Sequence, residues 1–331
     1  MNSANVGIVG LGSFGALHLD VLANMTGVNV VGLASRSSER ARELASQYKV
    51  PHVFTDTAEM VGAVQLDAVF IATEDTRHLE PTLTALRAGV DVFLEKPISP
   101  DLEEARQMID EAARLKRKFM VGHVCRFEPR SATIKQRIVN GDLGNVLTVY
   151  GRRNMCKAFL DQYSFSNRIF TTGVHDIDLI LWYYEGIRPV EVYMKTMRAH
   201  GKGDDVFWAI ITMENGSLGI VETNWCLPEA TPWRGHILLD VVGTKGAALS
   251  EIPGNGLAFW TDTAVEIPDT SYWPSIHGAT VGALRDEFNY FIRCLVEDRP
   301  VTIPYPEDAY QSIRIAHALI QSAQSGMPVQ I

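Results

Sequence analysis

Short apolar runs alternate with amphipathic segments early in the chain, and this alternation constrains the fold more than any other feature of the sequence. The runs are Val6–Val9, Val28–Ala34, Ala68–Thr73 and Val90–Leu94, and Ser38–Tyr48 is a helical segment between two of them. Each run is apolar throughout, as expected for strands covered on both faces. The order predicts an α/β domain with a parallel, doubly wound sheet, because parallel neighbours need long crossover connections.

A glycine turn follows the first run. Gly10-Leu11-Gly12-Ser13-Phe14-Gly15 is a G-x-G-x-x-G pattern between strand and helix. In that context the first glycine permits a tight turn, the second admits a pyrophosphate and the third lets helix and strand pack closely. The helix N-terminus offers unpaired N–H groups to an anion. The pattern predicts a dinucleotide site at Gly10, Gly12, Ser13, Phe14 and Gly15, against the alternative of a purely structural turn.

The end of the second strand bears on the choice between NAD and NADP. An NAD site places Asp or Glu there for the ribose 2′-OH, whereas this chain has Ser35-Arg36, with Arg40 one helical turn later. A hydroxyl and a guanidinium suit a 2′-phosphate, because Arg binds phosphate bidentately and keeps its charge. We predict NADP as the preferred cofactor, while NAD or dual use stays open, as does a plain surface role for both arginines.

Two residues are candidates for the chemistry. Lys96, in Glu95-Lys96-Pro97, lies at the carboxyl end of the fourth run, the edge where open α/β sheets bind ligands. It is either an acid/base or a structural partner of Glu95. His175 begins a helical segment and has two nearby carboxylates, Asp176 and Asp178, that can hold its tautomer, although a lone histidine is more often structural. Since His175 has no second His or Cys at ligand spacing, we predict no metal.

The pattern changes in the second half of the chain. Strand signals with a hairpin signal at Asn215-Gly216 replace the earlier alternation. Antiparallel strands after α/β units predict a second, α+β domain. The strand candidates are Val146–Arg153, Val190–Arg198, Val206–Met213, Leu218–Trp225 and His236–Val242.

The composition excludes several classes of protein. Thirty-nine acidic against thirty basic residues give a net charge of −9, so neither nucleic acid nor an anionic membrane is an expected partner. No apolar run approaches the roughly 18 residues of a membrane span. The N-terminus enters a strand pattern without the basic region of a secretory signal. Four scattered cysteines fit the thiols of a reducing cytosol. We expect a soluble, cytoplasmic protein.

Taken together, these features resemble the glucose-fructose oxidoreductase / inositol dehydrogenase (Gfo/Idh/MocA) family over essentially the whole chain. The matching motifs are the glycine turn, Thr73 to His78, Glu95-Lys96-Pro97, Val121 to Pro129, His175 to Asp178 and Gly243-Thr244-Lys245-Gly246. The resemblance implies a dinucleotide-binding Rossmann domain, placed at 1–122. It also implies a substrate-binding and oligomerisation α+β domain with a large open, mainly antiparallel sheet, placed at 123–331.

The resemblance also implies roles for single residues. Lys96 matches the family lysine that exchanges the hydroxyl proton, and His175 matches its partner near the same oxygen. Glu95 and Pro97 are expected to shape the nicotinamide side. Two residues are expected to lie along the cofactor, Thr73 and His78. The expected substrate-binding residues are Lys96, Arg126, Asn154, Thr171, Thr172 and His175. The candidates for an aromatic wall against a sugar are Trp225, Trp233, Tyr272, Trp273 and His277.

Two departures from the family pattern bear on the mechanism. Many members have Asp at the position of Thr171, so we expect no three-residue proton relay, and Lys96 must act with His175 alone. The usual Pro-Asn after Thr73 is Glu74-Asp75 in this chain, which adds negative charge near the cofactor channel. This charge either shifts cofactor preference or helps to bind a polyol.

We therefore predict an NAD(P)-dependent oxidoreductase that transfers a hydride between nicotinamide and a carbinol or ketone carbon. The expected substrate is a sugar or cyclic polyol, inositol-like or a glycoside, with Lys96 as acid/base and His175 polarising the oxygen. The expected assembly is a homo-oligomer, a dimer or a tetramer. The alternatives are a redox-neutral glycosidase with tightly bound NAD(H), a bilin or dihydrodiol reductase, and a non-enzymatic nucleotide-sensing protein.

Overall fold

A computed structural model of the chain describes residues 3–163, 166–200, 203–254, 256–260 and 265–331. The chain divides into two compact units. Unit 1 consists of Met1–Phe127 and Ser271–Tyr310, and unit 2 of Glu128–Thr270 and Gln311–Ile331. Within the described ranges, no helix has both the length and the apolar character that crossing a membrane requires.

Strands and helices alternate from the start of the chain to residue 122. They are β1 (Ala4–Val9), α1 (Ser13–Ala23), β2 (Val28–Ala34), α2 (Ser38–Tyr48), β3 (His52–Phe54), α3 (Thr57–Ala63), β4 (Ala68–Ile71), α4 (Leu79–Arg87), β5 (Asp91–Glu95), α5 (Leu102–Leu115) and β6 (Phe119–Gly122). Short 3₁₀ turns lie at Asp75–Arg77 and Val124–Arg126.

Longer strands dominate the middle of the chain, and two helices lie near its end. The elements are α6 (Pro129–Val139), β7 (Val146–Cys156), α7 (Phe159–Gln162), α8 (Val174–Tyr183), β8 (Pro189–Met197), β9 (Val206–Met213), β10 (Leu218–Leu227), β11 (Gly235–Gly243), β12 (Ala247–Ile252), β13 (Phe259–Trp260), β14 (Val265–Glu266), β15 (Ser275–Ile276), β16 (Ala279–Thr280), α9 (Ala283–Val296), α10 (Pro306–Ser325) and β17 (Val329–Gln330). A π-helical turn at Ile169–Gly173 leads into α8, and a 3₁₀ turn lies at Pro232–Arg234.

Unit 1 is built on a six-stranded sheet in the order β3-β2-β1-β4-β5-β6. All neighbouring strands in it are parallel. This is the strand order of doubly wound dinucleotide-binding folds, so the predicted parallel sheet is confirmed. The order reverses between β1 and β4, and ligands of such sheets bind outside the carboxyl ends of the strands at that point. The residues that follow β1 and β4 therefore lie where a ligand is expected.

Helix α9 completes the core of unit 1. Its residues Phe288 and Phe291 contact the rings of Phe70 on β4 and Phe93 on β5, with centroids 5.1 or 5.7 Å apart. All four side chains are fully buried. The aromatic face of α9 places residues 271–310 in the N-terminal compact unit, whereas the predicted domains, 1–122 and 123–331, assign this segment to the second domain.

Unit 2 is built on a seven-stranded sheet in the order β12-β11-β7-β10-β9-β8-β17. Neighbours are antiparallel except for β7 and β10. The predicted large, mainly antiparallel sheet is therefore confirmed. Helix α8 covers one face, since a Cβ added at Gly219 on β10 would lie 2.5 Å from Ile180 of that helix. The other face carries Trp208 and Ile210 of β9, which are exposed.

Candidate cofactor and substrate sites

The three glycines of the turn between β1 and α1 differ in what a side chain at each position would meet. Gly10 has φ of 87°, and a Cβ there would lie 2.6 Å from the carbonyl oxygen of Ala72. A Cβ at Gly15 would lie 1.9 Å from the carbonyl oxygen of Gly10. A Cβ at Gly12 would meet no described atom within 4 Å. Gly10 and Gly15 are therefore required by the protein's own packing, whereas Gly12 borders open space that suits the close approach of a pyrophosphate.

Helix α1 begins next to this space with the uncharged residues Ser13 and Phe14. Its first N–H groups are thus available to an anion without a neighbouring carboxylate. Phe14 makes an edge contact with Trp273, with ring centroids 5.6 Å apart. Trp273 was expected in the substrate domain, but it belongs to unit 1 and lies beside the glycine turn. Tyr272, another candidate for the aromatic wall, is buried.

The arginines after β2 differ in their surroundings. Arg36 Nη2 lies 3.5 Å from Oε1 of Glu74, in the loop after β4. Arg40 instead pairs with Glu43 of its own helix, at 2.7 Å. Ser35 Oγ accepts a hydrogen bond from the N–H of Ser37. Of the two arginines predicted to bind the 2′-phosphate, Arg36 is therefore the one that contacts the loop after β4.

His78 connects two of the predicted cofactor loops. Its Nδ1 lies 2.9 Å from the carbonyl oxygen of Pro97, and its Nε2 lies 3.3 Å from that of Thr73. The side chain is buried, and burial lowers the pKa of His78 below its ordinary value. A neutral imidazole has a single N–H group, so His78 donates to one of these two carbonyl oxygens and packs against the other, between the two loops. The position of His78 along the cofactor stays a prediction. The hydrogen-bond contacts of its ring are with backbone carbonyl oxygens.

Lys96 directly follows β5, at the predicted edge of the sheet, and is half-buried. The buried carboxylate of Glu95 accepts a hydrogen bond from the Lys96 N–H at 3.2 Å. Its other oxygen lies 2.9 Å from Nε2 of His18 on α1. His18 was not among the predicted site residues, although a polar residue on the buried face of an apolar helix was a signal. Glu95 thus joins the helix of the glycine turn to the backbone of Lys96.

The surroundings of His18 are aromatic and dry. Four rings surround it with centroids 4.7 to 6.4 Å away, those of Phe14, Phe70, Phe93 and Phe288. The side chain is fully buried, and Nδ1 has no hydrogen-bond partner among the described residues. A buried polar atom without a hydrogen-bond partner costs free energy, so its presence calls for another role of the side chain. The role that the contacts indicate is support of Glu95.

In unit 2, His175 lies in the first turn of α8 and is partly exposed. The next residue, Asp176, is buried and accepts two hydrogen bonds of 3.0 Å from Arg153 on β7. Burial raises the pKa of the Asp176 carboxyl, and the charge and hydrogen bonds of Arg153 act in the opposite direction. A Cβ at Gly151 would lie 2.9 Å from the Cβ of Asp176, so the glycine makes room for the pair. The ion pair fixes the start of α8, and with it the backbone of His175.

Asn154 belongs to a different cluster. Its Nδ2 donates a hydrogen bond of 2.9 Å to Glu222 on β10, and the same carboxylate accepts from Arg152 and from the hydroxyl of Tyr150. Against the opposing effect of burial, these hydrogen bonds lower the pKa of Glu222, while burial raises that of Tyr150 to about 12. Side chains alternate along a strand, so Asn154 and Arg153 point to opposite faces. The predicted grouping of Asn154 with His175 is therefore not supported.

Thr171 and Thr172 lie in the π-helical turn before α8, a rare conformation that often occurs at functional sites. Thr171 Oγ1 donates to the carbonyl oxygen of Asn167 at 3.1 Å. Thr172 Oγ1 donates to that of Arg168 and accepts from the indole N–H of Trp225 at 3.2 Å. Trp225, one of the candidates for the aromatic wall, is 1% exposed and therefore belongs to the core. Thr172 therefore serves as the hydrogen-bond acceptor for a buried indole N–H in the core of unit 2.

The remaining expectations concern Arg126 and metal ions. Arg126 belongs to unit 1, where it is buried and its Nη1 lies 2.9 Å from Asp308. Its guanidinium is therefore engaged by the protein, and its role toward a substrate stays a prediction. Within the part of the chain that the structure describes, no group of three or more His, Cys, Asp or Glu residues is arranged to hold a metal ion.

Comparisons with known proteins place the chain in a family. A family model described as "Oxidoreductase family, NAD-binding Rossmann fold" matches residues 4–123, and one described as "GFO/IDH/MocA C-terminal domain" matches residues 131–249. Inositol 2-dehydrogenase of Corynebacterium glutamicum (strain R) is 32% identical over 267 residues, which cover 78% of this chain and 77% of that protein. The chain belongs to the GFO/IDH/MocA family. The family predicted from the motifs is therefore confirmed.

Other GFO/IDH/MocA members agree with this assignment. D-apiose dehydrogenase of Paraburkholderia graminis is 25% identical, covering 98% of this chain and 88% of that protein. The solved structure of scyllo-inositol dehydrogenase from Lactobacillus casei with bound cofactor NAD(H) and scyllo-inositol has a TM-score of 0.86 and covers 99% of both chains. At 22% identity this likeness shows a shared fold. The prediction of a nicotinamide-dependent oxidoreductase is confirmed.

Proposed function

We propose that this protein oxidises or reduces a carbinol carbon of a cyclic polyol or sugar, with an inositol-like compound as the first choice. Lys96 carries the proposal, because it lies at the carboxyl end of β5 in a sheet whose glycine turn leaves open space at Gly12. Relatives named inositol 2-dehydrogenase and D-apiose dehydrogenase support the choice of substrate.

The glycine turn fits the pyrophosphate of a nicotinamide dinucleotide, since Gly12 admits it and the N-terminus of α1 attracts it. Ser35 and Arg36 suit a 2′-phosphate, so we propose that NADP is preferred over NAD. When bound, the nicotinamide accepts or supplies the hydride. Thr73 and Pro97 lie in loops that His78 holds together, so the protein fixes both loops before a cofactor arrives.

We assign the proton of the substrate hydroxyl to Lys96 Nζ and the polarisation of the substrate oxygen to the imidazole of His175. Positioned acid/base catalysis typically contributes about 10²–10⁴ in rate. Glu95 fixes the Lys96 backbone through its hydrogen bond, and the Arg153–Asp176 pair fixes the helix that carries His175. Thr171 has no carboxylate, so no relay through that position is proposed.

The test follows nicotinamide absorbance with NAD or NADP and a panel of cyclitols, aldoses and glycosides. We expect turnover of at least one cyclitol, a loss of about 10²–10⁴ in kcat for Lys96→Met, and a smaller loss for His175→Asn. Lys118→Met is the matched control, since Lys118 pairs with Asp298 outside the proposed site. An unchanged kcat in Lys96→Met or His175→Asn would remove that residue's role. Cofactor that co-purifies without turning over would favour a redox-neutral glycosidase.

We also propose a cytoplasmic homo-oligomer, a dimer or a tetramer, assembled through the face of the seven-stranded sheet opposite α8. Large exposed apolar residues lie on this face: Trp208, Ile210, Val242 and Leu249. Large apolar side chains exposed on one face of a sheet are consistent with an interaction surface. The four free cysteines support a reducing compartment. We expect light scattering to give a multiple of the chain mass, and Trp208→Glu to lower it.

A further inference from the structure

We propose that Glu74 limits the preference of this enzyme for NADP by holding the guanidinium that binds the 2′-phosphate. The inference rests on the proposed role of Arg36. In the sheet of unit 1, β2 and β4 flank β1. The residues after β2 and β4 therefore lie on either side of the glycine turn. Arg36 comes from one side and Glu74 from the other, and Nη2 of Arg36 lies 3.5 Å from Oε1 of Glu74.

The backbone around Glu74 is held in place. The Ala72 N–H donates to the carbonyl oxygen of Val9, and the Arg77 N–H donates to that of Glu74, both at 2.8 Å. His78 contacts the carbonyl oxygen of Thr73. The carboxylate of Glu74 is therefore carried by a loop whose backbone is held by hydrogen bonds.

Two guanidinium groups share this carboxylate. Oε1 faces Arg36, and Oε2 lies 3.1 Å from Nε of Arg77. Each oxygen thus has its own cationic partner. Because Arg77 holds the second oxygen, Glu74 is kept close to Arg36 by a contact that does not depend on Arg36. A 2′-phosphate must therefore compete with a carboxylate that is already in place.

The charges predict opposite effects on the two cofactors. The end of β2 lacks the acid that NAD sites place near the ribose, and Glu74 brings a carboxylate to the same region from β4. A carboxylate accepts a hydrogen bond from a 2′-OH but repels a 2′-phosphate, whereas a guanidinium favours the phosphate. Removing the charge of Glu74 should therefore strengthen NADP binding and weaken NAD binding. This assigns an effect to Glu74, the first of the two residues that replace the family's usual Pro-Asn.

The test measures the Kd of NAD and of NADP by titration calorimetry, without substrate, for the wild type, Glu74→Gln, Arg36→Ala and the double variant. We expect Glu74→Gln to raise the ratio of the NAD Kd to the NADP Kd about tenfold, or about 1.4 kcal/mol. Arg36→Ala should weaken NADP and reduce the effect of Glu74→Gln to the part that the carboxylate exerts directly on the cofactor. The side chains of Arg36 and Glu74 are 70% and 48% exposed, so high salt should reduce the effect.

Glu111→Gln is the matched control. Glu111 on α5 also accepts from two arginines, Arg87 at 2.8 Å and Arg114 at 2.7 Å, so this variant makes the same charge change elsewhere in unit 1. We expect it to leave the Kd ratio unchanged. An unchanged NADP Kd in Arg36→Ala would overturn the phosphate role of Arg36 together with this inference. A weakened NADP Kd in Arg36→Ala, with an unchanged ratio in Glu74→Gln, would overturn only the inference about Glu74.

Discussion

The glycine turn of unit 1 and the helix that bears His175 in unit 2 differ in which atoms make up the candidate site. In unit 1 the glycine turn offers backbone N–H groups beside the open space at Gly12. In unit 2 the helix that bears His175 is fixed by Arg153 and Asp176, from elements far apart in the chain. Backbone chemistry is set by a few consecutive residues, whereas side-chain chemistry depends on tertiary packing. The first kind of site can therefore be recognised from a motif, and the second needs the fold.

Substitutions at two glycines test the backbone site of unit 1, and they have the largest expected effect on cofactor binding. A Cβ at Gly15 would lie 1.9 Å from the carbonyl oxygen of Gly10, so Gly15→Ala must displace the turn. We expect cofactor binding to weaken by about 10³ or more, roughly 4 kcal/mol, measured by calorimetry. Overpacking should also lower the free energy of unfolding by about 1–3 kcal/mol.

Gly12→Ala separates binding from folding, because its Cβ meets no described atom within 4 Å. We expect the free energy of unfolding to change by less than about 0.5 kcal/mol, while cofactor affinity falls. Gly62→Ala on α3 is the control, since a Cβ there is equally clear of the described residues. Unchanged affinity in Gly12→Ala would show that the open space does not receive the cofactor.

Arg153→Met tests the side-chain contacts of unit 2, because it removes the ion pair with Asp176. It leaves the buried carboxylate of Asp176 without its bidentate partner, and we expect the free energy of unfolding to fall by about 3 kcal/mol at neutral pH. With Arg153 gone, burial alone acts and raises the pKa of Asp176. A raised folded-state pKa makes stability fall as pH rises through it, so the deficit should shrink as pH is lowered toward about 4.

Urea unfolding at several pH values checks this expectation. The control is Arg137→Met, which removes an exposed ion pair with Asp142. We expect it to cost less than about 1 kcal/mol at every pH. Equal losses in the two variants would contradict the buried role of Arg153.

His18→Phe sharpens the comparison, because it asks whether unit 1 also depends on a remote side chain. Phenylalanine keeps the aromatic packing but removes the contact with Glu95. We expect kcat to fall about tenfold, and the free energy of unfolding to fall by about 1–3 kcal/mol because the buried carboxylate of Glu95 loses a partner.

His18→Gln is the matching rescue, because its amide can again donate to Glu95. We expect kcat to return toward that of the wild type. Steady-state kinetics with a substrate identified by the panel of cyclitols, aldoses and glycosides, together with urea unfolding, gives both quantities. If both variants retain full kcat, Lys96 does not depend on the His18–Glu95 contact.

Thr172→Val has the smallest expected effect and separates packing from substrate binding in unit 2. The buried indole N–H of Trp225 loses its acceptor, and the free energy of unfolding should fall by about 1 kcal/mol. Thr133→Val on α6 is the control, because Thr133 is exposed and bonds only its own helix turn in the described contacts. A loss of activity without a loss of stability would restore the predicted contact of Thr172 with substrate.

Much of the fold could be predicted because its signals are local. The predicted bounds of β2, α2 and β9 agree with the structure, since an apolar run or a helical stripe defines each of them. Strand β3 was missed because its three residues carry no periodicity. The placement of α9 was missed as well, because an amphipathic pattern shows that a helix buries one face but not which sheet it covers.

The candidate site divides in the same way. The glycine turn and Lys96 were predicted because each lies within a contiguous motif after a strand. The contacts of His18 with Glu95 and of Arg153 with Asp176 were missed, because nothing in the sequence specifies pairs 77 or 23 residues apart. Strand alternation did carry one unused signal, since it places Asn154 and the neighbouring Arg153 on opposite faces.

On the ribosome, the strands of the parallel sheet emerge long before α9. Phe70 and Phe93 then have only part of their native surroundings, because Phe288 and Phe291 have not yet been synthesised. Such transiently uncovered apolar surface is what chaperones protect and what aggregation exploits. The cofactor-binding unit therefore reaches its final core only when most of the chain has been translated, although its strands are the first to be made.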